Sequence, residues 1–406
     1  MKGSMRVPYA KAVYGKEEIR AVTGVFEHPE KIVAGPNVKK FEEKIAKLFG
    51  KKYGAMVNSG SSANLIALEL LNLPRGAEVI TPALTFSTTL APILQKGLVP
   101  VFVDVDPHTY VVSARKVASL ITKKTRAIMI PSLIGNLPDL AELQKIARKY
   151  KLWFIEDSCD TLGARYREKP TGYYSHVTTT SFYASHIITA AGGGGMVMVS
   201  DPALARRAKL LAYWGRESTL FGSHEKSEEI SKRFSNKLNG DWYDAKFLFT
   251  EIGYNFQPTE TQAAFGLVQL DRLKKFSLMR QKNFKILFRF FEKYEKFFML
   301  PRTLSGTETN WLAFPLTIRE HAPFSRYEIT KYLEEANIQT RPIFTGNILR
   351  QPGFRNMREK RVARDGYPAS DHIMKNSFII GCHQGLTAPE RAYLLRTAKE
   401  FLKRYE

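Results

Sequence analysis

The sequence predicts an α/β protein: a large domain with a mostly parallel sheet covered by helices, then a smaller C-terminal α/β domain. Three observations carry this. Short β-branched runs alternate with helical spacing from about residue 37 to about residue 155, the pattern of a parallel sheet with both faces covered. That pattern breaks at 177–199, which is rich in Thr, Ser and Gly, and again at 218–251, which is polar and irregular like an insertion. Helical spacing then returns at 259, and a mixed segment occupies 296–406. The expected division is 1–275, including the insertion, and 276–406, which holds a connecting helix and the small domain.

Val38, Phe41, Ile45, Leu48 and Phe49 recur close to helical spacing and predict a helix over 37–49. Ser61 and Ser62 are good helix-capping residues and open a predicted helix over 61–71. Residues 78–81 read as a strand and 86–95 as a helix. The runs 99–105, 127–130 and 152–155 are short and apolar or β-branched, as buried strands are, with a helical segment at 140–150 before the last. The helix predicted from 259 to 276 continues as a long basic amphipathic helix to about residue 294. The small domain should contain a strand at 311–316, a helix at 326–336, a strand at 339–344 and a final helix at 388–405.

The chain has 406 residues, 44% hydrophobic and 25% charged, an ordinary globular balance that argues against general disorder and against collagen-like or coiled-coil character. No apolar stretch approaches the roughly 18–20 residues that span a bilayer. Residues 1–5 lack the apolar core of a signal peptide. Two cysteines, Cys159 and Cys382, offer neither a disulfide framework nor a CxxC metal pair, so a reducing cytoplasmic compartment is expected. Lys and Arg number 61 against 39 acidic residues, a formal charge of +22, densest at 272–275 and 282–296. Such an excess fits a generally basic surface, attraction of phosphorylated substrates, or nucleic acid. No RNP box or paired zinc ligands support the last, and neither a nucleic-acid nor a membrane partner is expected.

Four motifs bear chemistry. Asn58-Ser59-Gly60-Ser61-Ser62-Ala63-Asn64 opens a helix, where backbone N–H groups and the helix dipole can receive a phosphate, although a plain capped helix reads the same way. Glu156-Asp157-Ser158-Cys159-Asp160 ends a predicted strand, the edge where ligands of open α/β sheets bind; a carboxylate there can pair with a protonated ring nitrogen or serve as a turn residue. Thr180-Ser181-Phe182-Tyr183-Ala184-Ser185-His186 precedes the run of four glycines 192–195. Gly253-Tyr254-Asn255-Phe256-Gln257-Pro258-Thr259-Glu260 opens the helix after the insertion.

In this order, with Thr81-Pro82-Ala83-Leu84-Thr85-Phe86 between the first two, these motifs resemble the fold-type I pyridoxal-phosphate superfamily, in its branch of sugar aminotransferases and dehydratases acting on nucleotide-linked ketosugars (DegT/DnrJ/EryC1/StrS). The resemblance covers about residues 8–400. It implies the fold-type I transferase fold, with Asp157 pairing with the pyridine nitrogen and Phe86 stacking on the ring. It further implies that Gly60, Ser61, Ser62 and Ser181 hold the phosphate. Asn255 would reach the cofactor of a neighbouring subunit, implying a homodimer with shared sites.

His186 is the informative departure, because aminotransferases of this family carry there the lysine that binds the cofactor covalently. No lysine occurs from Pro170 to Ala208. An imidazole forms no stable imine, but it moves protons near neutral pH. The resemblance therefore narrows to the sugar 3-dehydratases, with non-covalent pyridoxamine phosphate as the working form. Asp160, where aminotransferases usually have Gln or His, and the string Thr340-Arg341-Pro342-Ile343-Phe344-Thr345-Gly346-Asn347-Ile348-Leu349-Arg350-Gln351-Pro352 agree with that group, while Gly192 departs from the usual Glu. Asp160 joins the candidate cofactor contacts, and Tyr183, Phe344, Asn347 and Arg350 are candidate substrate contacts. The implied reaction is loss of the C3 hydroxyl of a nucleotide-linked 4-keto-6-deoxyhexose in deoxysugar and surface-polysaccharide biosynthesis, with His186 moving a proton at the cofactor's C4′. Alternatives are an aminotransferase and a non-catalytic cofactor-binding homologue. One branch of these dehydratases carries an iron–sulfur cluster whose cysteines lie in an insertion before the Gly-Tyr-Asn motif. The insertion here has no cysteine, so no metal or cluster is expected, and glutamate is the expected amino donor.

Overall fold

A computed structural model describes residues 5–28, 32, 35–222, 228–357 and 359–406. Parts of the predicted insertion, at 223–227, and most of the N-terminal stretch read against a signal peptide, at 1–4, lie outside the described residues. The architecture is the expected fold-type I α/β arrangement. The large sheet is built from β1 (Tyr53–Val57), β2 (Glu78–Pro82), β3 (Val99–Val103), β4 (Thr125–Pro131), β5 (Trp153–Asp157), β8 (Val177–Ser181) and β9 (Gly195–Val199), with β6 (Arg165–Tyr166) and β7 (Lys169–Pro170) forming a side ribbon. Its strand order is β1-β9-β8-β5-β4-β2-β3. All neighbouring pairs are parallel except those made by β9, which runs antiparallel to β1 and β8.

The parallel strands β2 to β5 carry largely apolar runs because both their faces are covered. Alternate side chains serve different cores. Behind α1 (Lys16–Val25) and α2 (Pro36–Leu48) in the chain come α3 (Gly60–Glu69) and α4 (Ser87–Gln95), and Val79, Phe102, Ala127, Met129 and Ile155 pack under these two with Ala63, Ile66, Leu90 and Ile93. Ile80, Val101, Ile128 and Phe154 join a second cluster that continues through Phe291 into Phe314, Leu316 and Phe378 of the smaller sheet. Each buried Val, Leu, Ile, Phe or Met side chain among these contributes about 1.5–3 kcal/mol relative to exposure.

The smaller sheet has four antiparallel strands, in the order Phe298–Met299, Phe314–Ile318, Ser377–Ile380 and Thr340–Arg341. The expected strand over 339–344 is thus cut to two residues. Pro342 has no N–H for a ladder and Phe344 turns to φ +46°, so the chain leaves the sheet there. The helices Glu260–Asp271 and Leu273–Phe291 connect the two parts. At the other end of the chain, Val7 pairs with Ile338 and brings the N-terminal segment to the same face.

Candidate active site

At the carboxyl ends of the parallel strands lies a cavity of about 780 Å³, a size that suits a cofactor with a substrate. Its floor is the end of β5. Asp157 is 5% exposed, and its Oδ2 accepts hydrogen bonds from Asn64 Nδ2 at 2.8 Å and Thr89 Oγ1 at 2.7 Å. Its Oδ1 accepts from the Cys159 N–H at 3.2 Å. Neutral donors thus fix a buried carboxylate in orientation, with no cation paired to it among the described residues, which suits a cationic ring nitrogen.

The wall beside it is the start of α3. Ser59 caps the helix by accepting from the Ser62 N–H, and Ser61 Oγ donates to Thr88 Oγ1 at 3.0 Å. A Cβ on Gly60 would stand 2.6 Å from Ser181 Cβ, and one on Gly195 would stand 2.3 Å from the Ser59 carbonyl oxygen. Both glycines are therefore required for β8, β9 and the helix start to meet. Gly60, Ser61 and Ser181 then face one hollow at a positive helix terminus, a fit for a phosphate group.

His186 follows β8 and lies partly exposed in the cavity. Its Nδ1 is 2.6 Å from the carbonyl oxygen of Cys159. A carbonyl only accepts, so Nδ1 carries the hydrogen and Nε2 is the free basic nitrogen of the neutral ring. Burial pulls the imidazole pKa down to about 4, against an upward pull from the Cys159 carbonyl. Asp160, whose Oδ2 accepts from the Ile134 N–H at 2.9 Å, moves the other way: burial and then the neighbouring Asp157 push its carboxyl up to about 7. The Tyr183 ring stands edge-on to His186 at 6.3 Å.

The far side comes from the chain as it leaves the small sheet after Arg341. Phe344 meets Phe86 edge-to-face at 5.8 Å, and Thr345 Oγ1 donates to the Thr85 carbonyl at 2.5 Å. Arg341, exposed at the rim, stacks over Tyr9 at 4.7 Å. The structure thus brings Gly60, Ser61, Phe86, Asp157, Asp160, Ser181, Tyr183, His186 and Phe344 around one cavity. Four expected residues stand outside its lining. Ser62 Oγ donates to Asn58 Oδ1, and Asn347 is buried with its amide on Asp371. Arg350 makes a two-pronged pair with Asp371 at 3.0 and 2.8 Å, and Asn255 is exposed beside Tyr213. Sequence reasoning overlooked Asn64, Thr89, Tyr9 and Arg341. Asn64 sits one turn beyond Gly60 and could have been read from that spacing, and Arg341 stood unremarked in the 340–352 string. Nothing local marks Tyr9, which arrives through the Val7 pairing.

The family described as DegT/DnrJ/EryC1/StrS aminotransferase matches residues 13–397. The chain is 37% identical over 371 residues to the lipopolysaccharide biosynthesis protein RfbH of Salmonella typhimurium, covering 89% of this chain and 84% of the relative. It is 37% identical over 382 residues to a dTDP-4-dehydro-2,6-dideoxy-D-glucose 3-dehydratase of Saccharopolyspora spinosa, covering 92% and 81%. Among solved structures, the E. coli GDP-4-keto-6-deoxy-D-mannose 3-dehydratase with bound hydrated PLP superposes with a TM-score of 0.86 at 28% identity, covering 98% of this chain and all of that one.

Proposed function

Because the chain belongs to the DegT/DnrJ/EryC1/StrS aminotransferase family, we propose that it removes the C3 hydroxyl of a nucleotide-linked 4-keto-6-deoxyhexose, with pyridoxamine phosphate as its working cofactor. One observation carries the choice of dehydration over transamination. No lysine lines the cavity among the described residues, and His186 stands there where the family resemblance puts the aminotransferase lysine. The 3-dehydratase names of two of the similar proteins support it.

Bound pyridoxamine phosphate supplies the amine that joins the C4 ketone and the ring that takes up electrons as the C3 hydroxyl leaves. The chain's residues do the rest. Asp157, fixed by Asn64 and Thr89, holds the ring nitrogen protonated. Gly60, Ser61, Ser181 and the α3 terminus hold the phosphate, and Phe86 covers the ring. His186 Nε2, kept neutral above about pH 5, takes the C4′ proton, a role worth roughly 10²–10⁴-fold. Tyr183, Phe344 and the rim Arg341 face the sugar and its diphosphate, and Asp160 sits within reach of the cofactor. Asn347 and Arg350, locked to Asp371, support the loop that carries Phe344.

The working assembly is a homodimer in the cytoplasm. Asn255, exposed and outside its own chain's cavity, is free to serve a partner's site. Glutamate restores the amine form, and no cluster takes part, since the chain's two cysteines are Cys159 and Cys382. The test is incubation with pyridoxamine phosphate and a panel of CDP-, GDP-, dTDP- and UDP-linked 4-keto-6-deoxysugars, read by mass spectrometry. The released sugar is expected to be lighter by one oxygen, its C3 hydroxyl replaced by hydrogen, with glutamate supplying the two electrons and ammonia released, and no reductase needed. Amino transfer to C4 with the C3 oxygen retained would overturn the reading.

A further inference from the structure

Arg280, on the helix Leu273–Phe291, is 1% exposed, and its contacts among the described residues include no carboxylate. Its Nε donates to Gln384 Oε1 at 2.7 Å and its Nη1 to the carbonyls of Trp311 and Leu312, each at 3.0 Å. Its Nη2 points at the His186 carbonyl at 3.5 Å. Gln384, itself buried, donates its amide to the Ile187 carbonyl at 3.1 Å. Two side chains from outside the large sheet thus grip consecutive carbonyls of the loop that carries the base. A buried guanidinium that meets only neutral oxygens is costly, and packing alone would be served by a methionine. Burial draws its pKa down to about 10, which still leaves it charged at neutral pH.

We propose that Arg280 is a positioning residue for His186: with Gln384 it clamps the backbone at 186–187, and its unpaired buried charge disfavours a second proton on the imidazole. The groups facing that ring are Asp157, Cys159 and Asp160 from the end of β5, Tyr183 from its own loop, and Arg280 from the connecting helix. Asp157 favours the imidazolium, and Arg280 opposes it. The catalytic meaning rests on the reading of His186 as the base; the electrostatic one does not.

Carbethoxylation by diethyl pyrocarbonate, which attacks neutral imidazole, tests this on the full chain without added cofactor. Peptide mass spectrometry gives the rate at His186 from pH 4 to 8, with exposed His321 as internal control. Arg280→Met removes the charge. Gln384→Glu keeps the arginine but sets a carboxylate against it, and decides the matter if the first variant does not fold. Both should raise the half-titration pH of His186 by about one unit, so that modification well below the midpoint slows about tenfold, while His321 is unchanged. Arg280→Lys should keep the wild-type midpoint. Equal midpoints at His186 in wild type, Arg280→Met and Gln384→Glu would overturn the proposal. A shifted midpoint in a protein that dehydrates no sugar would leave the clamp standing and remove the proposed reaction.

Discussion

His186 joins two opposed demands. A base must be unprotonated at working pH, and burial meets that demand at a cost in acid. The group's folded pKa, about 4, lies below its ordinary value of 6.5. Between those values the unfolded chain binds a proton that the folded chain refuses, so stability falls as pH drops from 6.5 towards 4. His186→Asn removes this slope: relative to the variant, the cofactor-free wild type should lose up to roughly 3 kcal/mol across that window, measured by denaturant titration. His186→Lys should place an amine near the cofactor carbon, giving a covalent adduct that survives borohydride reduction, whereas wild type should release all its cofactor. The departure from lysine was legible in the sequence because the surrounding motif is intact. The tautomer was not, because it depends on the Cys159 carbonyl, which approaches from a different strand end.

At the scale of elements, the junction of α3 with β8 and β9 is the most constrained part of the site. Gly60→Ala adds a methyl 2.6 Å from Ser181 Cβ, so the helix start must move away from β8. We expect a folded protein with circular dichroism like wild type and at least tenfold weaker binding of pyridoxal phosphate, read by equilibrium titration. The apolar strands β2 to β5 were plain from pattern. β8 was not, since Thr178, Thr179 and Thr180 make it look like a loop. Their hydroxyls are satisfied internally, Thr179 on Asn64 at 2.6 Å and Thr180 on the Ser158 carbonyl at 3.1 Å, so a polar strand is buried without penalty. Thr179 supports Asn64 and Asn64 supports Asp157, which gives this strand a function that hydrophobic periodicity does not report. β1 and β9 were missed with it, because the pairing of Tyr53 with Val199 and of Val57 with Gly195 spans a long stretch of chain and leaves no local mark.

For the whole molecule, exposed apolar side chains cluster in sequence around the Gly-Tyr-Asn motif: Trp242 is 64% exposed, Phe249 54% and Ile252 95%. Such a concentration marks an association surface, and we propose that it faces the second protomer. Ile252→Asp should yield monomers in sedimentation velocity, with cofactor affinity reduced at least tenfold. A monomer of undiminished affinity would contradict shared sites. We also propose a division between large and small parts near 275/276, inside the helix Leu273–Phe291; the apolar cluster that crosses it argues that the parts unfold together. At this assembled site a C4′ proton should move through His186 as the C3 hydroxyl leaves. Pyridoxamine phosphate dideuterated at C4′, bound to wild type and to His186→Asn and mixed with a nucleotide-linked 4-keto-6-deoxyhexose, tests it by mass spectrometry of the recovered cofactor and sugar. We predict loss of one deuterium together with one sugar hydroxyl in wild type, and retention of both deuteriums with intact sugar in the variant. Equal deuterium loss and dehydration in the two proteins would contradict the claim.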